Sequence, residues 1–513
     1  MSTHSLPAFV EGYGAIRPFT GVQPAPDLVF RSSTRVHPAV SGRDKLLRDI
    51  EAAFDVCKIG DGATLSFHHH LRNGDQVLNQ VLAVAAPRGL RGLRVAASSL
   101  FPVHAPLVEH MRTGVVTRIS TAYASGPVAE ALSGGELATP VVMTTHGGRA
   151  RAIESGELHI DVAFVAAPAA DRYGNVSGAV GRAACGPLGY AMVDALYADR
   201  VVALTDNLCP HPLCPIDIAQ DKVDFVVCVD SIGDPTGILS GTTRPTTDPV
   251  GLRIAETASR VIAASGLLCD GFSLQTGAGG VSIATSMYVK AAMAERRVQG
   301  SFSAGGVTGY LVDMLEAGLF RTIFDVQCFD LRAVESYRND PRHQAMSASL
   351  YANPHTRGAL VDQLDAMLLG AAEVDLDFNV NVTTGSDGRI LGGSGGHADT
   401  AAGAKLAIVT TRLAASSGPK IVDRVRCVTT PGETIDVVVT ENGVAVHPGR
   451  AELREQLLSA GLDVITIDQL RARAVGASRD AALHARPLED ARVVGVVEYR
   501  DGRVTDVIRQ STA

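Results

Sequence analysis

The stretch Phe67-His68-His69-His70-Leu71-Arg72-Asn73-Gly74-Asp75 places three imidazoles, a guanidinium and a glycine turn where a β-branched, apolar run passes into a helical pattern. Two glycine-rich stretches lie far downstream, Gln275-Thr276-Gly277-Ala278-Gly279-Gly280 and Gly392-Gly393-Ser394-Gly395-Gly396-His397. A glycine loop between strand and helix lets the backbone approach an anion and aims N–H groups at developing negative charge. Imidazoles and guanidinium groups are the natural partners of carboxylates, arginine in bidentate fashion. The combination points to acyl chemistry on a polycarboxylate.

Extended backbone alternates its side chains, so at most two of His68, His69 and His70 can face one cleft. Zinc is a weaker reading of this triplet than anion binding. His104, and the run Thr145-His146-Gly147-Gly148-Arg149, put further cations and glycines after expected strands. In parallel sheets the ligand crevice opens at the carboxyl ends of the strands, so these clusters can converge with the His68 loop. Neither glycine loop is a Walker motif, because no Gly-Lys-Ser/Thr occurs. Gly393, Gly395 and Ala398 satisfy GxGxxA without the acidic residue expected about 20 positions on.

The elements that must position these groups alternate. Leu46, Leu47, Ile50 and Phe54 fit one helix face, and Thr64–His68 reads as a short buried strand. Further strands are expected at 93–97, 115–119, 141–144, 162–166, 201–204 and 225–229, with helices between many of them, as at 76–85 and 105–111. Such alternation implies a mainly parallel sheet covered by helices on both faces. Residues 231–249, rich in Pro, Gly and Thr, form the best linker. After it the pattern restarts with a helix at 252–265, a strand at 271–275, a glycine loop and another helix. The chain is expected to divide into an extended arm (1–40), a first α/β domain (41–235) and a second of related design (236–513). Segments 435–439, 464–467 and 493–499 read as the last strands of the second domain.

The 513 residues exceed one hydrophobic core. A composition of 46% hydrophobic and 19% charged residues is that of a folded soluble protein, and a net charge of −8 argues against a nucleic-acid binder. Eight cysteines form no CxxC pair, which suits a reducing cytoplasm. Cys209-Pro210-His211-Pro212-Leu213-Cys214 reads as a rigid loop rather than a metal site, and no metal is expected. No apolar run approaches the roughly 20 residues of a membrane span, and no signal peptide is read at the N-terminus.

Ser66-Phe67-His68-His69, Arg72, Gly74-Asp75, Ser98-Ser99-Leu100 and the runs 104–110 and 114–119 resemble the citrate lyase α-subunit family. His146-Gly147-Gly148-Arg149, Gly189-Tyr190-Ala191, Gln275-Thr276-Gly277, Phe378-Asn379-Val380-Asn381-Val382 and Gly395-Gly396-His397 continue the resemblance from about residue 45 to the end. It implies a fold of two CoA-transferase-like α/β domains and a citrate:acyl-carrier-protein transferase activity. It also implies partners: citrate, a lyase β subunit, and a small acyl carrier protein (γ) bearing a dephospho-CoA-derived arm, within a larger complex that contains several copies of this chain. No cofactor is expected in this chain itself; the partner's arm, or acetyl-CoA in its place, is what it would act on.

Two departures matter. Ser125 stands where the family is expected to carry an arginine, before the Gly126-Pro127 turn. Many relatives in the wider superfamily use a glutamate nucleophile before a helix of the second domain; aligned on the helix at 310–317, that position is Gly305, and no carboxylate lies nearer in sequence than Asp313. A glutamyl thioester is therefore not expected, and direct attack by citrate through a mixed anhydride is. In this reading Gly277, Gly279, Gly280, Gly305, Gly395 and Gly396 line the reacting centre. His68, His69, Arg72, Ser99, His104, His146, Arg149, Gln275, Asn379 and His397 are the expected substrate-binding residues. The competing readings are a CoA-transferase for another dicarboxylate and a non-catalytic scaffold or ligand sensor on the same fold.

Overall fold

Buried Val- and Ala-rich runs separated by helices must sit in a sheet covered on both faces, and this chain builds two such sheets. The computed structural model describes residues 6–34, 36–239, 244–277, 279–478 and 491–511. In the first half the parallel strands lie in the order Val141–Met143, Val116–Thr121, Leu93–Ala97, Thr64–Phe67, Val162–Ala167, Arg200–Thr205, Phe225–Cys228. In the second they run His343–Ala345, Phe320–Cys328, Gly300–Val307, Ser273–Thr276, Ala366–Gly370, Leu406–Thr410, Val437–Thr440. The two orders are the same: each half starts at its centre, builds outward on one side, then returns to the centre and builds outward on the other.

Each sheet therefore has one topological switch point. Leu65 and Ser66 pair with Val162 and Ala163 at the first. Leu274, Gln275 and Thr276 pair with Ala366, Met367 and Leu368 at the second. A crevice forms outside the carboxyl ends of the strands at such a point, and the His68 and Gly277 loops leave from these two central strands.

A smaller motif repeats as well. Asp171 accepts from the backbone N–H groups of Tyr173 and Asn175 and from the Asn175 amide. Asp375 does the same with Asp377, Asn379 and the Asn379 amide. The loop needs a left-handed residue, which is Gly174 (φ 97°) in one half and Phe378 (φ 63°) in the other. Duplication is thus written in topology and loop geometry where sequence identity between the halves had faded.

Three expectations need correction. Leu46 and Leu47 are a short strand beside Val226 and Val227, not part of a helix; the helix begins at Ile50, where the Asp49 carboxylate caps the Ala52 N–H. The strand at 493–499 does not belong to the second sheet. Val493–Glu498 lies parallel to Val141–Met143 of the first, with Val504–Arg509 antiparallel at its outer side. A run of valines says that a strand is buried, not which sheet buries it. The arm over residues 1–40 is only partly free. Phe9–Val10 and Gly14–Ala15 form a small hairpin, Val10 packs on Val496 and Val504, and the Tyr13 hydroxyl donates to Glu498 at 2.8 Å. The first five residues of that arm, residues 240–243 of the linker and Ala278 of the glycine loop lie outside the described residues. No helix among the described residues is long and apolar enough to cross a membrane.

Because residues 493–509 cover the open edge of the 141–143 strand, a chain ended after Ser478 should expose an unpaired apolar edge. Aggregation, or loss of a cooperative melting transition in calorimetry, is the expected outcome; an intact transition at unchanged Tm would contradict this packing.

Candidate active site

The strand Thr64–Phe67 ends in the histidine triplet, and the chain then turns sharply through a short 3₁₀ segment, Arg72–Gly74. Gly74 must be glycine, since a Cβ there would sit 1.9 Å from the carbonyl oxygen of Asp234. Arg72 adopts the left-handed conformation (φ 51°), which is strained for a side chain of its size and marks a backbone held by its surroundings.

The triplet divides by direction. His68 turns into the core, its Nε2 3.0 Å from Asp194 Oδ2. The same carboxylate takes both prongs of Arg149, at 2.8 and 2.6 Å, and Arg149 also reaches the Ala96 carbonyl at 3.0 Å. Burial alone would raise the Asp194 carboxyl, but Arg149 and His68 hold it well below the usual range. His68 and Arg149 are thus joined through one buried carboxylate, while His68 Nδ1 has no hydrogen-bond partner among the described residues. His104 is likewise committed, one ring nitrogen to Asp75 at 3.1 Å and the other to the Phe101 N–H at 3.0 Å. His397 is held by the Gly370 carbonyl and the Thr430 hydroxyl, and burial lowers its pKa to about 4. Asn379 belongs to the Asp375 loop and accepts from the Gly432 N–H at 2.9 Å. Type and spacing made these residues candidates; in the fold each is paired within the protein.

His69 faces the crevice. Its Nδ1 lies 2.6 Å from Ser98 Oγ, and Ser99 Oγ lies 3.4 Å from Nε2. Its ring stacks on His146 (centroids 5.7 Å apart) and leans on Tyr190 (4.7 Å). Burial, then the charges of His146, His70 and Arg72, push the His69 pKa well down; burial and Arg149 lower that of His146 to about 3. Both rings are neutral near pH 7. Arg72 brings a buried guanidinium to this cluster. Its guanidinium lies between the rings of Phe101 and Phe329, 5.2 and 4.8 Å from their centroids, and burial lowers its pKa only to about 10.

From the other half come Gln275, Tyr351, Gly305, Gly395 and Gly396. The Gln275 amide donates to the Tyr351 hydroxyl at 2.6 Å. Cβ atoms at Gly305 and Gly396 would approach that amide and that hydroxyl to 2.7 and 2.3 Å. Buried polar atoms without a hydrogen-bond partner among the described residues gather here: both ring nitrogens of His70, His146 Nδ1, Gln275 Oε1, Gln327 Oε1 and Ser303 Oγ. Native proteins rarely leave such atoms unsatisfied, so their concentration marks a place for polar guests.

The halves are joined at this point by backbone. Thr145 and Gly395 form a parallel bridge, with the His146 N–H donating to the Gly395 carbonyl at 2.8 Å and the Gly395 N–H to Ala122 at 3.1 Å. Asp399 accepts from the Thr145 hydroxyl and the Gly147 N–H, filling the helix start at His146. Gly147 and Gly393 permit the approach, since Cβ atoms there would meet Ala352 O and Ala122 O of the opposite half at 2.0 and 2.3 Å. Gly395 is therefore a seam residue, and its amide, like that of Gly277 (bonded to Leu368 O at 2.8 Å), is engaged.

Sequence reasoning passed over Tyr190, Tyr351, Phe329 and Gln327, the last of which donates to the His69 carbonyl at 2.7 Å. Single aromatics and a lone glutamine in strand ends carry no pattern. It also passed over a metal-type donor set, for Asp325, Cys328 and His343 hold their ligand atoms within 4.8 Å of one another. The Asp325 carboxylate already accepts from Cys328 Sγ (3.1 Å) and the Gln327 N–H (2.7 Å), and lies 3.1 Å from His343 Nε2. Every donor is matched, and the arrangement is a hydrogen-bonded knot beneath the crevice.

The family model described as "Citrate lyase, alpha subunit (CitF)" matches residues 43–511. The chain belongs to the citrate lyase α-subunit family. It is 47% identical to the citrate lyase alpha chain of Escherichia coli (strain K12) over 481 residues, covering 93% of this chain and 94% of that one. Identity to the alpha chain of Klebsiella pneumoniae is 43% over 491 residues, 96% of each. A crystal structure of the putative α subunit of citrate lyase from Streptococcus mutans, in complex with citrate, superposes with a TM-score of 0.93 at 43% identity, over 99% of both chains. The malonate decarboxylase α subunit of Acinetobacter baumannii shares the fold (TM-score 0.63, 18% identity, 84% of this chain and 87% of that one).

Within this citrate lyase α-subunit chain, Arg149→Met should leave Asp194 buried without its cation, a loss of about 3–5 kcal/mol. Tm should fall steeply while the citrate KM of the folded fraction stays within about twofold; a raised KM at unchanged Tm would return Arg149 to the substrate site. Asp399 has its pKa raised by burial to about 6, against 3.8 in an unfolded chain. The folded state then holds the extra proton between these values, so this contribution is present at acid pH and lost as pH rises through 6. Asp399→Asn should gain Tm relative to the unsubstituted chain between pH 4.5 and 7; a pH-independent difference would show that Asp399 does not titrate there.

Proposed function

We propose that this chain is the transferase subunit of citrate lyase, exchanging acetyl for citryl on an acyl-carrier-protein thioester: acetyl-ACP and citrate give citryl-ACP and acetate. Family membership and a citrate-bound relative of matching length support the substrate. The observation that carries the mechanism is Gly305. Its φ of 103° is one that L side chains rarely adopt, and the Gln275 amide occupies the space a side chain would need. No glutamate fits there without rebuilding the strand. The carboxylate that the fold does bring alongside, Asp325 in register with Gly305, is held in its own knot.

The route is then direct. A citrate carboxylate attacks the acetyl carbonyl of the carrier thioester, and the tetrahedral oxyanion collapses with release of the thiolate. The resulting citryl-acetyl anhydride is attacked at its citryl carbonyl by that thiolate, and acetate leaves. Arg72 neutralises a citrate carboxylate inside its aromatic slot, while neutral His69 and His146 supply hydrogen bonds without adding charge. Gly279, Gly280 and Gly396 are the oxyanion donors of this reading, Gly277 and Gly395 being engaged. One such donor is worth roughly 3–4 kcal/mol, and holding the two acyl groups in contact can contribute roughly 7–11 kcal/mol.

In this reading the chain carries no cofactor of its own. It acts on the dephospho-CoA-derived arm of the γ subunit, or on acetyl-CoA in its place. It hands citryl-ACP to the β subunit inside a cytoplasmic complex that contains several copies of the chain. Purified chain with citrate and an acetyl thioester should release acetate, whereas itaconate or succinate should not substitute. Arg72→Ala should raise the citrate KM by roughly a hundredfold, the loss expected for a charge-assisted contact of about 2–3 kcal/mol. Acetate release at unchanged KM would remove Arg72 from the site, and no release from the unsubstituted chain would remove the activity.

A further inference from the structure

We infer that Gln275 and Tyr351 form a recognition pair for the hydroxyl-bearing carbon of a hydroxy acid, standing where relatives with the glutamate carry their nucleophile. This rests on the transfer activity proposed above and adds which part of the substrate the pair reads.

The geometry is specific. Gln275 lies in the central strand of the second half, at the switch point, and is 5% exposed; Tyr351 is 2% exposed. Gln275 Nε2 donates to the Tyr351 hydroxyl at 2.6 Å. That leaves two functions open at one spot. The Tyr351 O–H is free to donate, strengthened by the bond its oxygen accepts. Gln275 Oε1, buried and without a hydrogen-bond partner among the described residues, can only accept. An acceptor beside a donor matches a hydroxyl beside a carboxylate: the substrate O–H donates to Gln275, and the carboxylate accepts from Tyr351.

The position adds to the argument. A Cβ at Gly305 would lie 3.1 Å from Gln275 Oε1, and one at Gly396 would lie 2.3 Å from Tyr351 Oη. The pair thus lies between the strand at Gly305 and the loop at Gly395–Gly396, and a Cβ at Gly395 would be 3.5 Å from His146 Nε2. A burial cost follows for any guest without the hydroxyl, since Oε1 would stay unsatisfied. Sites built this way reject the analogue lacking the group far more strongly than an apolar pocket rejects a missing methylene. Tyr351 burial pushes its phenol pKa above its ordinary 10, so the hydroxyl remains a proton donor throughout the neutral range.

The test compares citrate with tricarballylate, the same tricarboxylate without its hydroxyl, in the acetyl-thioester assay on the full chain. The unsubstituted protein should favour citrate by at least about tenfold in kcat/KM. Gln275→Met should bring that ratio to within about threefold, while Tyr351→Phe should lower kcat/KM for both acids by a similar factor, about tenfold. A ratio unchanged by Gln275→Met overturns the inference, as does an unsubstituted chain whose melting temperature is raised equally by both acids, a measurement that needs no variant to fold. Loss of all transfer from the unsubstituted chain would instead strike the activity itself.

Discussion

Everything at the centre of this molecule depends on how closely two backbones can approach at the seam. The turn that starts the helix at His146 and the loop from Gly392 to Gly396 are bonded main chain to main chain, and only residues without Cβ atoms allow it. The glycine content that suggests an anion cradle from sequence is, at positions 147 and 393, a requirement of this contact. Across this seam the Gln327 amide donates to the His69 carbonyl at 2.7 Å, so the loop that leaves the first central strand meets the second half.

The charges of the crevice are arranged in depth. Arg149 and His68 share the buried Asp194 carboxylate, so the cation and the anion compensate each other. Arg72, in its aromatic slot, stays protonated because burial lowers its pKa only to about 10. Around it His69 and His146 are kept neutral by burial. A polyanion therefore meets one strong charge and several neutral hydrogen-bonding groups. This arrangement suits a reaction whose attacking and leaving groups are themselves anions, because an excess of fixed cations would bind ground state and transition state alike.

The duplicated design lets the two halves bring different groups to one place. Equivalent strands and equivalent Asp–Asn loops occur in both, yet the first half presents imidazoles and the second presents glycines, an amide and a phenol. The strand order lets the same scaffold offer two different first loops to a shared space. Val493–Glu498 then crosses back to the first sheet, and Arg500 beyond it reaches the Ala352 carbonyl at 3.0 Å and lies 3.8 Å from Asp399. The C-terminus thereby ties the second half to the first.

Periodicity and turn residues by themselves determined the α/β class, most of the strands, the restart after the linker and the importance of the His68 loop. They did so because burial on both faces and strand-end glycines leave direct traces in residue order. Resemblance in motifs determined the family. What only the tertiary structure decided was which polar residues remain available. His68, His104, Arg149, Asn379 and His397 look identical in type to His69 and Arg72; the partners that hold them come from tens to more than a hundred positions away or fold back from their own loop. Sheet membership of the strand at 493–498 was equally hidden, since a continuous apolar run shows burial on both faces and not a neighbour. Tyr190, Tyr351 and Gln327 carry no local pattern at all; their roles arise from long-range contact, which residue order does not encode locally.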